Sequence, residues 1–148
     1  MNKIYIVRHG ETDWNKEGRC QGKTNISLNE NGITQAENLK NKFDISKIDV
    51  CFVSPLKRAL ETAKIITDDK LDLIIDDRIV ERGFGTLEGK LFNYEATVKS
   101  WNYNLNYDEY EMETIKDVLK RAKDFLNYLN ETYDNKKILI VSHGAFIK

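Results

Sequence analysis

Two histidines are the residues of this chain best placed to do chemistry, and the chain has no others. His9 comes shortly after the apolar run Ile4–Val7, and His143 shortly after the run Ile138–Val141. Each is followed by a glycine, which lets the backbone turn sharply and lets a ligand approach closely. Ligands of parallel α/β sheets bind beyond the carboxyl ends of the strands. A hydrogen bond to a backbone carbonyl would explain one such histidine, but two in matching positions favour a functional role.

Two arginines are expected at the same end of the sheet. Arg8 ends the first strand, where an arginine beside a buried strand needs an anionic partner. Arg58 follows the strand-like run Asp49–Val53 by a few residues. Ser54 is predicted to cap the next helix and Pro55 to occupy its first turn, so that Arg58 lies near the helix start. Taken alone, Arg58 is better explained as a solvated helix residue.

An acidic residue joins this set from a glycine-rich segment. Glu81 lies in Asp77–Gly89, where glycines surround an aromatic residue and predict a tight, irregular loop. Glu81 is either a surface charge or, if the loop meets the histidines, a group that can move a proton. Cys20 is either a redox-sensitive thiol near this site or an ordinary partly buried cysteine.

Strands and helices alternate along the chain, which predicts βαβ units, a largely parallel sheet and helices on both of its faces. The predicted buried strands are Lys3–Val7, Asp49–Val53 and Lys137–Val141, with a weaker one at Leu71–Ile75. The predicted helices are Asn31–Phe43, Leu56–Ile66 and Glu113–Tyr133. The last carries a stripe of apolar or small residues: Ile115, Val118, Leu119, Ala122, Leu126 and Leu129. Lys90–Tyr110 is aromatic and poorly periodic, and we expect a part-helical excursion over one end of the sheet, either a lid or plain packing.

The composition excludes several classes of protein. With 148 residues and 41% hydrophobic content, the chain fits a single domain over residues 1–148. A net charge of -1 gives no reason to expect a nucleic-acid partner. The apolar runs are too short to cross a membrane, and the N-terminus leaves no room for a signal peptide. We therefore expect a cytoplasmic protein, either a monomer or a homodimer.

Four motifs, taken together and in this order, make the chain resemble the histidine phosphatase superfamily, also called the phosphoglycerate mutase-like family. They are Arg8-His9-Gly10-Glu11-Thr12 with Trp14-Asn15, Ser54-Pro55-Leu56 with Arg58-Ala59 and Thr62, Glu81-Arg82 with Phe84-Gly85 and Glu88-Gly89, and Ser142-His143-Gly144. The resemblance covers nearly the whole chain. It implies a three-layer α/β/α sandwich, a phosphohistidine intermediate, and neither a metal nor another cofactor.

The resemblance also implies a role for each residue. His9 is the nucleophile, and Glu81 protonates the leaving alcohol and then activates water. Arg8, Arg58 and His143 hold the phosphoryl oxygens, where fixed cations stabilise the charge of the transition state. Residues expected to contact the substrate, with less support from the motifs, are Asn15, Gln21 and Gly22.

The chain departs from the family pattern in two places. Asn25 stands where an aspartate is usual. The chain also stops at Lys148, soon after His143, whereas family members continue with a helix and further strands. We expect a chain truncated at its C-terminus, with an uncovered sheet edge that favours dimerisation or aggregation.

The predicted function is hydrolysis of a small phosphomonoester. A phosphoglycerate mutase is the first alternative, but the segment from Glu81 to His143 is short for one. A non-catalytic phosphoester-binding module is the second. A cysteine phosphatase is excluded because Lys57, and not an arginine, follows Cys51 at the spacing that its loop requires. A metal hydrolase is disfavoured because the arginines would repel the ion.

Overall fold

A four-stranded parallel sheet lies at the centre of the structure, a computed structural model that describes residues 1–148. The strands are β1 (Lys3–Arg8), β2 (Val50–Val53), β3 (Leu73–Ile75) and β4 (Lys137–Ser142). Their order across the sheet is β1-β4-β2-β3, so that β4 is central and pairs with both β1 and β2. The first and last strands of the chain are therefore neighbours, which brings the two histidine loops together.

Six helices connect or flank the strands. They are α1 (Asp13–Glu17), α2 (Glu30–Lys42), α3 (Lys57–Thr67), α4 (Tyr94–Ser100), α5 (Ile115–Thr132) and α6 (Gly144–Ile147). Short 3-10 turns lie at Ile45–Lys47, Asp77–Ile79, Gly85–Leu87 and Glu109–Glu111. None of the helices combines the length and the apolar character that crossing a membrane requires.

Alternating side chains of the central strands divide the core into two layers. Cys51 and Leu139 face one way, where they pack against α3 together with Ala59 and Ala63. Phe52 faces the other way and packs against Phe125 and Leu129 of α5. With helices on both faces, the predicted three-layer α/β/α fold is confirmed.

Two packing predictions were wrong. On β1, Tyr5 and Val7 pack on the core, but Ile4 and Ile6 on the other face are 38% and 55% exposed, so this edge strand is covered on one face only. On α5, Leu119 and Leu126 of the predicted stripe are exposed. The buried face instead contains Val118, Phe125 and Leu129, because α5 is rotated to bring Phe125 against the sheet.

The start of α3 also differs from its prediction. The helix begins at Lys57, its cap is Leu56, and Ser54 makes no capping bond to it. Asn25, from a distant loop, accepts a hydrogen bond from the Lys57 amide at 2.7 Å. The residue that departs from the family pattern therefore satisfies one of the free amides of the helix start.

Residues 84–112 form a small separate core over the carboxyl end of the sheet. Buried Leu87, Ala96, Tyr107 and Met112 pack together there, with Cys20 beside them. The part-helical excursion predicted for Lys90–Tyr110 is confirmed, with α4 as its helical part. Its short elements pack on this core.

Candidate active site

His9 lies directly after β1 and is only 7% exposed. Its Nδ1 is 2.6 Å from the carbonyl oxygen of Gly10. A carbonyl oxygen only accepts, so Nδ1 must carry the proton and Nε2 must carry the lone pair. Burial lowers the pKa of His9 to about 4. The positive charges of Arg58 and Arg8 also lower it, whereas the hydrogen bond to the Gly10 carbonyl raises it. Neutral His9 thus has its basic nitrogen free to act as a nucleophile near pH 7.

The backbone after His9 is fixed by close contacts. The amide of Gly10 donates to Thr62 Oγ1 at 3.0 Å, and that hydroxyl donates to the carbonyl of Arg58 at 2.7 Å. A Cβ on Gly10 would lie 2.5 Å from the carbonyl oxygen of Gly32 in α2. Only glycine fits at position 10, so helices α2 and α3 together determine where the imidazole stands.

Arg58 is fully buried, so its interpretation as a solvated helix residue was wrong. Its two terminal nitrogens donate to the carbonyls of Thr24 and Gly22, both at 2.6 Å, while its Nε has no partner in the protein. Burial lowers the pKa of Arg58 to about 10, opposed by Glu81 and Glu88. The group remains a cation near pH 7 and supplies a fixed positive charge beside His9.

His143 lies directly after β4 and is fully buried. Its ring centroid is 5.1 Å from that of His9. Nε2 is 2.6 Å from Ser54 Oγ, and Nδ1 has no hydrogen-bond partner. Burial, with the charges of Arg58, His9, Arg121 and Arg8, lowers the pKa of His143 to about 2. The two histidines therefore lie side by side, and both are neutral.

Glu81 is 8% exposed, so its interpretation as a surface charge was also wrong. Its carboxyl group accepts hydrogen bonds from three backbone amides: Arg82 at 2.8 Å, Phe146 at 2.8 Å and Ala145 at 3.1 Å. Burial raises the pKa of Glu81 despite these bonds and the opposing charge of Arg58. A carboxyl group that keeps its proton to a higher pH is suited to act as an acid.

Arg8 differs from its prediction because it is exposed, at the edge of the sheet. No acidic side chain of the chain pairs with it. Its guanidinium packs against the backbone of Gly144, where a Cβ would lie 3.1 Å from Cζ. The cationic group thus reaches the loop after β4 and lines the cavity in front of His9.

The three weaker predictions, Asn15, Gln21 and Gly22, all line the same cavity. The side-chain oxygen of Asn15 accepts a hydrogen bond from the Thr12 amide at 3.0 Å, and that of Gln21 accepts one from Thr12 Oγ1 at 2.5 Å. Gly22 has a φ of +54°, and a Cβ there would overlap with the carboxylate of Glu88. In the structure, the contacts of these three residues stabilise the loop that contains them.

Four charged residues to which the sequence assigned no role hold the Glu81 loop in place. Arg82 is fully buried and donates to the carbonyls of Glu113 and Ser100, both at 2.8 Å. Arg121 of α5 donates to Glu113 through two nitrogens, at 2.8 and 3.0 Å. Glu88 accepts from the amides of residues 23 and 84. Only the place of Arg82 and Glu88 in the third motif could have signalled this role.

A cavity of about 590 Å³ opens in front of these residues. Arg8, His9 and Glu81 line one end, and the fully buried Arg58 and His143 lie beside His9 without lining the cavity themselves. The opposite wall is apolar and comes from the excursion and the residues that flank it: Phe84, Leu87, Leu91, Phe92, Trp101 and Met112. The cavity therefore joins a cationic end to a hydrophobic end.

Cys20 also lines this cavity, but burial and the charges of Glu88 and Glu81 raise its pKa to about 11. A thiol with a raised pKa is a poor redox sensor, which favours the ordinary partly buried cysteine. No group of three or more His, Cys, Asp or Glu side chains is arranged to hold a metal ion.

The motifs and this geometry agree with a comparison to known proteins. The sequence model described as the histidine phosphatase superfamily (branch 1) matches residues 4–148. The chain belongs to the histidine phosphatase superfamily. The family predicted from the four motifs is confirmed.

Individual histidine phosphatases are similar over almost the whole chain. A Bacillus subtilis protein named uncharacterized phosphatase PhoE is 40% identical over 99% of this chain and 74% of its own length. Phosphoserine phosphatase 1 of Hydrogenobacter thermophilus is 34% identical over 97% of this chain and 71% of its own. The solved structure of Bacillus stearothermophilus YhfR superposes with a TM-score of 0.89, at 31% identity, over 100% of this chain and 77% of that one. The prediction of a phosphatase of this superfamily is confirmed.

Proposed function

We propose that this histidine phosphatase hydrolyses small phosphomonoesters by forming a phosphohistidine at His9. One observation carries the proposal. The Gly10 carbonyl holds the Nδ1 proton of a neutral His9, so that Nε2 is left free in a cavity that also contains Arg8 and Glu81. A nucleophile, a cation and a carboxyl group with a raised pKa are the groups that transfer of a phosphoryl group to histidine requires.

The reaction would proceed in two steps. His9 Nε2 forms a bond to phosphorus while the bond to the leaving alcohol breaks, and Glu81 gives its proton to that oxygen. Glu81 then takes a proton from water, which attacks the phosphohistidine and releases phosphate and neutral His9. Arg8, Arg58 and His143 would hold the phosphoryl oxygens, and their charges and N–H groups would take the part that a magnesium ion takes elsewhere.

The cavity supports a substrate with a small organic body. Phosphate would lie at the cationic end, leaving the body against Leu91, Phe92 and Trp101. Asn15, Gln21 and Gly22 would contact the substrate where they line the cavity. Because a relative is named as a phosphoserine phosphatase, phosphoserine belongs in a test panel beside aryl and sugar phosphates.

The test uses both histidines of the chain. Wild type is expected to hydrolyse an aryl phosphate in the presence of a chelator, and His9→Ala is expected to lose at least about a thousandfold of that rate. Rapid quenching with labelled substrate should trap a phosphoenzyme in wild type and, more slowly formed, in the matched variant His143→Ala. Labelling of His9→Ala at the wild-type level would overturn the proposal.

Repeating the experiment with a phosphoglycerate present separates the two alternatives. A phosphoglycerate mutase would return the phosphoryl group to a phosphoglycerate, whereas a binding module would hold phosphoesters without turnover.

Three statements about the protein as a whole stay predictions: one domain over residues 1–148, a cytoplasmic location, and a monomer or homodimer without a nucleic-acid partner. Gel filtration and nucleic-acid binding assays test the last of these.

A further inference from the structure

Ser54 makes an unusual contact for a residue predicted to cap a helix. Both Ser54 and His143 are fully buried, and Ser54 Oγ lies 2.6 Å from His143 Nε2. The only other hydrogen bond of this hydroxyl is the one that the amide of Leu56 donates to it at 3.4 Å. The contact joins the loop after β2 to the loop after β4 at the back of the site.

The chemistry of the three groups determines which atom donates. A serine hydroxyl has one proton and two lone pairs, and a backbone amide can only donate. Ser54 therefore accepts from Leu56, and its own proton needs an acceptor because a buried donor without one is costly. His143 Nε2 is the only acceptor that Ser54 reaches. The proton of neutral His143 must then lie on Nδ1.

That assignment gives the unpartnered nitrogen of His143 a function. Nδ1 is buried and has no hydrogen-bond partner in the protein. We propose that Ser54 is a positioning residue that confines His143 to the Nδ1–H tautomer, so that this N–H donates to an oxygen of the phosphoryl group. The proposal rests on the proposed function for the identity of that acceptor. In the other tautomer a lone pair would meet the phosphoryl oxygen and repel it.

The two histidines reach the same tautomer by opposite means. At His9 a carbonyl accepts from Nδ1–H and leaves the Nε2 lone pair free. At His143 a hydroxyl donates to Nε2 and leaves the Nδ1 proton free. The free end of His9 suits a nucleophile, and the free end of His143 suits a hydrogen-bond donor to an anion. Without Ser54, no hydrogen bond of the protein would fix which nitrogen of His143 carries the proton.

Nitrogen-15 NMR of the free protein tests the tautomer directly, without substrate. The chain has two histidines, so the spectrum contains two imidazole systems, which His9→Ala assigns. In wild type both should carry the proton on Nδ1. In Ser54→Ala the His143 signals should move toward the other tautomer while those of His9 stay unchanged. A wild-type His143 protonated on Nε2, or an unchanged His143 in Ser54→Ala, would overturn the proposal.

Kinetics then connect the tautomer to turnover. Ser54→Ala is expected to lower kcat for an aryl phosphate about tenfold or more, by weakening one donor to the transition state. Ser54→Thr keeps a hydroxyl and should keep the wild-type tautomer, and exposed Ser46→Ala serves as the control without effect on kcat. An altered tautomer with an unchanged kcat would refute the catalytic part. If labelled substrate does not phosphorylate His9, the proposed function is refuted. The NMR test of the His143 tautomer is independent of that outcome.

Discussion

The two ends of the cavity are built in different ways. At the strand end, His9 and Glu81 are buried, as are Arg58 and His143 next to them, and each of the four has at least one hydrogen bond to a fixed partner. At the excursion wall, Leu91 and Phe92 are 64% and 65% exposed. Rigid elements hold reacting groups in a productive geometry, while loops vary in shape and sequence. We infer that the strand end performs the reaction and that the excursion wall selects the substrate.

A buried network joins these two regions. Arg82 donates to the carbonyl of Ser100 at the end of α4 and to that of Glu113, just before α5. Because Arg82 follows Glu81 directly, the excursion is fastened to the residue expected to act as the acid. The wall can therefore differ in its exposed side chains while its attachment to the strand end stays the same.

The strongest test of this comparison is Glu81→Gln. Loss of general acid catalysis should lower kcat by about 10²- to 10⁴-fold for an alkyl phosphate. The loss should be smaller for a nitrophenyl phosphate, whose leaving group needs no proton. Wild-type kcat should fall at high pH, above the raised pKa of Glu81, and the variant should lack this fall. Exposed Glu95→Gln is the matched control, and equal losses for both substrates would contradict the assignment.

Acid should destabilise the strand end. Unfolded histidine has a pKa near 6.5, whereas burial lowers that of His143 to about 2. Between these values the unfolded chain binds a proton that the folded chain does not, so the free energy of unfolding falls as the pH falls. His143 alone should contribute up to about 1.4 kcal/mol per pH unit. Denaturant unfolding of wild type and His143→Gln between pH 6 and 4.5 measures it, and parallel slopes would count against a buried neutral imidazole.

The smallest effect is expected at the excursion wall. Phe92→Ala should raise KM for an aryl phosphate about fivefold, which corresponds to about 1 kcal/mol of lost apolar contact, and should leave kcat nearly unchanged. Tyr94→Ala is the matched control, because Tyr94 is 75% exposed and does not line the cavity. A short alkyl phosphate should not distinguish these variants from wild type. A large fall in kcat for Phe92→Ala would contradict the inference that the excursion wall selects the substrate and takes no part in the reaction.

Local sequence signals were sufficient for much of the fold. Runs of β-branched residues predicted all four strands, because a buried parallel strand needs apolar side chains on both faces. The same rule failed at β1, since its composition does not reveal that it is an edge strand with one face uncovered. The stripe predicted for α5 failed for a related reason: Leu119 and Leu126 share its spacing, but only packing decides which side of a helix meets the sheet.

For the candidate site too, local sequence signals predicted some features and tertiary packing decided the others. Strand ends followed by glycine identified His9 and His143 from sequence, because parallel strands bring such loops to one edge. Long-range contacts, which no local pattern encodes, decided the rest. They bury Arg58 and Glu81 and leave Arg8 exposed. They also let Arg82 and Arg121 hold the Glu81 loop in place.

The sequence by itself therefore determined the residue types of the candidate site and the end of the sheet where they meet. Only the tertiary structure decided the protonation and the free nitrogen of each histidine. Those properties come from the carbonyl of Gly10, the hydroxyl of Ser54 and the exclusion of water. Ser54 is 89 positions from His143, and the contact exists only because β2 and β4 are neighbours in the sheet.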